Sequence, residues 1–183
     1  MDQLKFLLYI LSRTGLMITV IVVGAFLGGI FIPAVLTFLP SSLMNIKTFF
    51  LDNTIQSVIC LSVASVFLMV LFYSDGKKQS AYENWSAVNI VIVFLLMEFV
   101  YFIPAVFRDS FTTEGKAEIF YKVLYFPCSW LYDGMNVNFY VSVLTTSGIL
   151  ILLSFIMYVT AYIIYRKKHP DIYKSFPDTN SGD

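Results

Sequence analysis

The chain reads as an all-α integral membrane protein, a four-transmembrane-helix bundle with interfacial amphipathic helices. Three observations predict this. Of 183 residues, 58% are hydrophobic and 13% charged, where a soluble domain holds roughly 45–50% apolar and about 25% charged residues. The apolar residues fall in long blocks instead of alternating with polar ones. Four of those blocks reach the ~20 residues a helix needs to cross a ~30 Å hydrocarbon layer. A spanning segment must also bond all its backbone groups internally, as a helix does.

Residues 1–13 place Leu4, Leu7, Leu8 and Leu11 on one helical stripe, flanked by Lys5 and Arg13. That pattern predicts an interfacial helix on the inner leaflet, which is also able to dock a neighbouring subunit. The apolar run that follows is far longer than the ~7–15 residues of a signal-peptide core and has no small-x-small cleavage pattern, so it is expected to remain as an anchor. The first span is 14–39, uncharged from Thr14 to Ile46. Within it Gly24 and Gly28 share one face, with Gly29 beside them. Such spacing lets another backbone come close, either within the bundle or at a subunit interface. Pro33 predicts a kink.

Residues 40–53 form an outer loop, and 54–73 the second span, with Ser57, Cys60 and Ala64 as a stripe of small residues. Residues 74–86 read as a short inner turn signalled by Asp75-Gly76. The third span, 87–107, is interrupted only by Glu98. A long outer connection, 108–139, leads to the fourth span, 140–165. There Ser142, Thr145, Thr146, Ser147 and Gly148 offer hydroxyls that bond across helices or back to their own carbonyls. Residues 166–183 form a polar tail.

Basic residues set the orientation. Lys5, Arg13, Lys77, Lys78, Arg166, Lys167, Lys168 and Lys174 fall on one side, and Lys47, Arg108, Lys116 and Lys122 on the other. The richer side belongs in the cytoplasm. This predicts a multi-pass protein of the cell (inner or plasma) membrane with both termini cytoplasmic.

Glu98 is the sharpest chemical signal. It lies near the bilayer midplane, where a charged carboxylate is costly and such residues face the bundle interior or a cavity. The neutral acid is the favoured form, able to donate one hydrogen bond. Ser62, Ser65 and Ser154 are the expected partners at matching depth. Phe94, Tyr101 and Ala105 share the Glu98 face, which is too apolar for a water-filled path. Interhelical hydrogen bonding, ion or proton handling, and lipid or ligand binding all stay open.

The outer connection contains a helix-like stretch at about 114–126, then a Phe126-Pro127-Cys128-Ser129-Trp130-Leu131-Tyr132 run. Phe120, Tyr121, Tyr125, Phe126, Trp130 and Tyr132 make it an aromatic surface. It is either an interfacial helix that caps the bundle or an outward-facing recognition surface. Cys60 reads as a small buried hydrophobe. Cys128 is expected outside, far from Cys60 in depth, so no disulfide joins them. In the tail, Arg166, Lys167 and Lys168 anchor the fourth span to anionic lipid, and Tyr173 and Phe176 are candidates for docking a cytosolic partner.

The single histidine, His169, leaves a catalytic triad without its base and a metal site without ligands. One membrane carboxylate is too few for an aspartyl protease, and no phosphate-binding glycine loop is present. No enzyme, cofactor or metal is expected, and zero net charge gives no pull toward nucleic acid. In size and span count over the whole chain the protein resembles small four-span bacterial membrane subunits of phage-defence systems, such as the membrane subunit of the Kiwa system. No motif carries that resemblance, so no residue role transfers. It implies a membrane sensor paired with a soluble effector. The expected function is thus a homo-oligomeric scaffold or sensor subunit coupling an outer surface to a cytosolic protein partner. A small ion or proton channel, or a transporter subunit, using Glu98 is the alternative.

Overall fold

The computed structural model describes residues 3–82, 87–108 and 118–168. Four helices in it are long and apolar enough to cross a membrane: Phe6–Leu36, Asn53–Ser80, Val88–Val106 and Phe139–Lys168. Helix α1 (Gln3–Phe26) passes through a π turn (Leu27–Phe31) into α2 (Ile32–Leu36). Pro33 lacks an N–H and disrupts the i−4 ladder ahead of it, and the chain widens there so that the Ile32 amide bonds the Leu27 carbonyl, five residues back. The irregularity expected at Pro33 thus takes the form of a π turn just ahead of it.

Two boundaries differ from the sequence reading. Residues 3–13 are not a separate helix. From Gln3 onward they run unbroken into the span, because Gly15 alone is too weak a breaker to end a helix on an apolar run. Leu4, Leu7, Leu8 and Leu11 are all more than half exposed along that rod. Nor do Asp75 and Gly76 make a turn, because α4 (Asn53–Tyr82) continues straight through them. Asp75 is buried and spends its side chain on α1, while a Cβ on Gly76 would collide with the Tyr158 carbonyl of the fourth span. Both residue types signal turns only where solvent and a free backbone await them.

Between the first two spans the expected loop holds a short helix, α3 (Met44–Leu51), with no buried residue. Asp52 then caps α4: its Oδ1 accepts from the Thr54 and Ile55 amides at 2.8 and 3.2 Å. After helix α5 (Ala87–Val106), the described part of the connection holds two short helices, α6 (Glu118–Leu124) and α7 (Ser129–Tyr132), joined by a 3₁₀ turn at Phe126–Cys128. Asn138 caps the last helix, α8 (Phe139–Lys168), through the Tyr140 amide at 2.9 Å.

The four long helices form a ring in the order α1, α4, α8, α5. Adjacent α4 and α8 both run from the aromatic end, where the connection lies, to the basic end, where Arg166, Lys167 and Lys168 close α8. Their packing is the most extensive in the bundle. Helix α1 meets α4 through the glycines: a Cβ on Gly24 would sit 3.0 Å from the Cys60 Sγ, and one on Gly28 would sit 2.8 Å from the Gln56 carbonyl. Gly24 and Gly28 therefore serve contact inside the bundle. At the centre Phe94 packs against Phe72, Phe155 and Tyr158, with ring centroids 4.9, 5.4 and 6.2 Å away.

Candidate functional site

From Glu118 onward the connection is not laid on the surface. Its aromatics alternate between inside and outside, because a helix as short as α6 can turn only one face inward. Tyr121 and Tyr125, one turn apart, are buried, whereas Phe120 and Ile119 are exposed. Phe126 covers the Gly28 and Gly29 face of α1, and Trp130 is half-buried. Tyr132 is 40% exposed. Most of the predicted outward surface is thus a wedge driven between the helices. Residues 114–117 of the expected helix lie outside the described residues, as do Tyr173 and Phe176 of the tail.

Three tyrosine hydroxyls fasten the wedge to α5. Tyr121 donates to the Pro104 carbonyl at 2.8 Å, Tyr125 to the Tyr101 carbonyl at 3.0 Å, and Tyr101 itself to the Leu124 carbonyl at 2.9 Å. Irregular backbone at membrane depth needs such partners, because lipid supplies none. Burial pushes the Tyr125 hydroxyl well above its ordinary range, so it stays a donor.

Between the wedge, the end of α5 and the start of α8 lies a vestibule of ≈ 490 Å³, open at the aromatic end. Its aromatic walls include Tyr121, Tyr125, Phe126, Tyr132 and Phe139. Charged groups of both signs stand in it: Arg108, Lys122, Glu118 and Asp133. The Arg108 guanidinium stacks on Phe139, 4.2 Å from the ring centre, with Tyr132 at 5.8 Å. Lys122 and Glu118 pair at 2.7 Å, and the lysine holds the Glu118 carboxyl below its usual range. Aromatic faces with balanced charges suit a small zwitterionic or amphipathic ligand.

Cys128 and Ser129 form the vestibule floor. The expected separation of the two cysteines in depth is wrong. The wedge carries Cys128 inward until its thiol and that of Cys60 interact electrostatically, and both are free and buried. Burial pushes the Cys128 thiol up to about 12. Around Cys128 stand the hydroxyls of Thr146 and Tyr101, with Glu98 within electrostatic reach.

Glu98 does not meet its expected partners. Ser62, Ser65 and Ser154 each bond a carbonyl one turn back in their own helix, at 2.8, 2.7 and 2.7 Å. Instead Ser147 Oγ lies within hydrogen-bonding distance of Glu98 Oε1, at 2.6 Å. The signal was present in the sequence: α5 runs toward the aromatic end and α8 away from it, so residues equally far from that end face each other. Glu98 also borders an otherwise apolar lateral groove of ≈ 400 Å³ between α5 and α8, where Gly148 leaves open space.

The sequence reading missed a second cluster near the basic end. The Arg13 guanidinium donates to Asp75 Oδ1 at 2.8 Å, and the Tyr9 hydroxyl to Oδ2 at 3.0 Å. Close by, Tyr158 donates to Gln79. Asp75 was passed over because Asp-Gly reads as a turn. Arg166, Lys167 and Lys168 are exposed in the last turn of α8, where cations complement the helix dipole. No family model, no curated protein and no solved structure matches the chain, so this geometry alone carries the functional argument.

Proposed function

We propose that the protein is a membrane sensor or scaffold subunit, oligomeric, with its aromatic end outward and its basic end toward a cytosolic partner. One observation carries the reading: Tyr121 and Tyr125 line the vestibule and also hydrogen-bond the last turns of α5. A ligand or protein surface that displaces either tyrosine shifts α5 relative to the wedge, and so changes how the bundle packs. Orientation rests on the bias of Lys and Arg toward the end that carries Lys77, Lys78 and Arg166–Lys168. The central ring layer of Phe72, Phe94, Phe155 and Tyr158 supports coupling through packing over conduction along the axis.

The test is purification in mild detergent from the native host, followed by native mass measurement and identification of co-purifying chains. The expected result is an oligomer carrying a stoichiometric soluble protein, lost on deleting residues 169–183 and weakened in the Tyr121→Phe/Tyr125→Phe double variant. An assembly that keeps no soluble chain, or that ignores both changes, would overturn the reading. A role in phage defence, implied by the likeness in plan, is the narrower form of this proposal. Equal phage plating with and without the gene in its host would remove that form and leave the broader one standing.

A further inference from the structure

The hydrogen bonds around Ser147 do not balance if Glu98 is ionised. Ser147 Oγ lies 2.6 Å from Glu98 Oε1 and 2.7 Å from the Val143 carbonyl oxygen. Both are hydrogen-bonding distances for O–H···O contacts, and a serine hydroxyl has one hydrogen to give. If it goes to Glu98, the short Oγ–carbonyl contact sets two lone pairs against each other. If it goes to Val143, the Glu98 contact needs its own hydrogen, and only a protonated carboxyl supplies one. The second arrangement gives each short contact its own hydrogen: Glu98 Oε1–H donates to Ser147 Oγ, and Ser147 Oγ–H donates to the Val143 carbonyl.

The surroundings of the carboxyl agree. No cation among the described residues acts on it. The ionisable groups that face it are Tyr101 on its own helix, Cys128 from the wedge and, next to these, Cys60 from α4. Helix α8 brings only hydroxyls, and α1 and α2 carry no ionisable side chain from Thr14 to Leu36. Among the described residues near Glu98, Ser65 and Ser154 spend their hydroxyls on their own helices, and the polar groups left unspent lie on one side. Toward the aromatic end, Glu98 is followed by Thr146 and Cys128, and Cys128 and Ser129 open on the vestibule. Ser129 Oγ and Glu98 Oε2 are buried with no hydrogen-bond partner among the described residues, and the buried Thr146 Oγ1 has only the Cys128 thiol beside it, so each has capacity to accept, and the two hydroxyls to donate. Toward the basic end, the next turn of α5 presents Phe94, enclosed by Phe72 and Phe155.

We propose that Glu98 holds an exchangeable proton on Oε1 and exchanges it with the aromatic end alone, through the hydroxyl and thiol groups of Thr146, Cys128 and Ser129. The exchange is acid–base only: the proton leaves Glu98 and the negative charge stays on its carboxylate. This inference stands on the Ser147 geometry and is independent of the sensor reading.

The experiment uses the wild-type chain in sealed vesicles, with sidedness fixed by amine labelling of exposed Lys122. Dicyclohexylcarbodiimide, which enters the bilayer and reacts with protonated carboxyls, is added while pH is set separately on each side. Adduct at Glu98 is read by peptide mass spectrometry. The expected result is labelling at neutral pH that falls as pH rises on the aromatic side and holds constant as pH rises on the basic side. Absence of adduct, indifference to pH, or equal response to both sides would overturn the proposal. In Thr146→Val, which keeps the side-chain shape, the response to aromatic-side pH should slow by roughly tenfold or more. An unchanged rate would remove Thr146 from the path.

Discussion

At the scale of single residues, the least forgiving positions are those where one atom is already in the way. A methyl on Gly28 would come within 2.8 Å of the Gln56 carbonyl, which is backbone and has little room to move. Gly28→Ala should therefore destabilise the bundle by about 1–3 kcal/mol, whereas Gly15→Ala, which meets nothing within 4 Å, should be neutral or slightly stabilising. Thermal unfolding in detergent separates the two. Glu98→Gln should preserve the fold, because its amide N–H₂ replaces the acid proton as donor to Ser147. Ser147→Ala should lower the melting temperature, because it removes the acceptor. The thiols offer a pH test. A Cys128 thiol held at about 12 is favoured as the neutral acid in the folded state. Its contribution is thus present below the ordinary thiol range and lost as pH rises from there toward 12. Alkylation should accordingly leave Cys128 unmodified at pH 8 in the folded protein and modify it fully after unfolding. Rapid modification of the folded chain would show that the wedge does not seal the site.

At the scale of elements, the long apolar runs were readable because length and composition alone force a spanning helix, whatever it packs against. Features that depend on a partner were not. Asp75-Gly76 has the same letters in a turn and in this helix, and only Arg13, Tyr9 and the Tyr158 backbone make it helical here. Glu98 could be singled out by its depth, but its partner could not, because three other serines lie at similar depth and bond to their own helices instead. The wedge misled for a third reason. Its aromatic pattern is the same for a helix lying on a membrane surface and for one pressed into a bundle, and the deciding acceptors are backbone carbonyls, which sequence does not display. The Arg13–Asp75 pair gives a direct test of how α1 and α4 are held together at the basic end. With Asp75 almost fully buried, Asp75→Ala should cost roughly 3 kcal/mol by leaving a buried guanidinium unpaired. The Arg13→Leu/Asp75→Leu double variant should recover most of that loss. A double variant as unstable as the single would show that the pair does more than cancel its own charges.

At the scale of the whole molecule, two clusters of interacting polar side chains stand apart among the described residues. One surrounds Glu98, Ser147 and Cys128 and opens on the vestibule. The other joins Arg13, Asp75 and Tyr9. A layer of aromatic rings lies between them, so a change at one end reaches the other by movement of packed side chains, not along a chain of hydrogen bonds. Replacing the central ring, Phe94→Leu, should leave the two clusters intact while weakening any dependence of partner retention on vestibule occupancy. Pull-down from the host with the Phe94→Leu and Tyr121→Phe/Tyr125→Phe changes alone and combined would measure that coupling, and additive losses would argue against it.

The unequal helix lengths have a mechanical consequence. The spans of 31, 28 and 30 residues surround one of 19, or about 46, 42 and 45 Å against about 28 Å at 1.5 Å per residue. Among the described residues, only α5 is as short as a ~30 Å hydrocarbon layer, so its long neighbours must lean or protrude. Bilayer thickness then sets the angle between the described part of α5 and its longer neighbours, and a thicker membrane straightens those three helices around it. The resulting shear acts where α5 is fastened, at Ser147 on one side and at the wedge tyrosines on the other. Lipid chain length is thereby an input to the same contacts that a ligand in the vestibule would disturb.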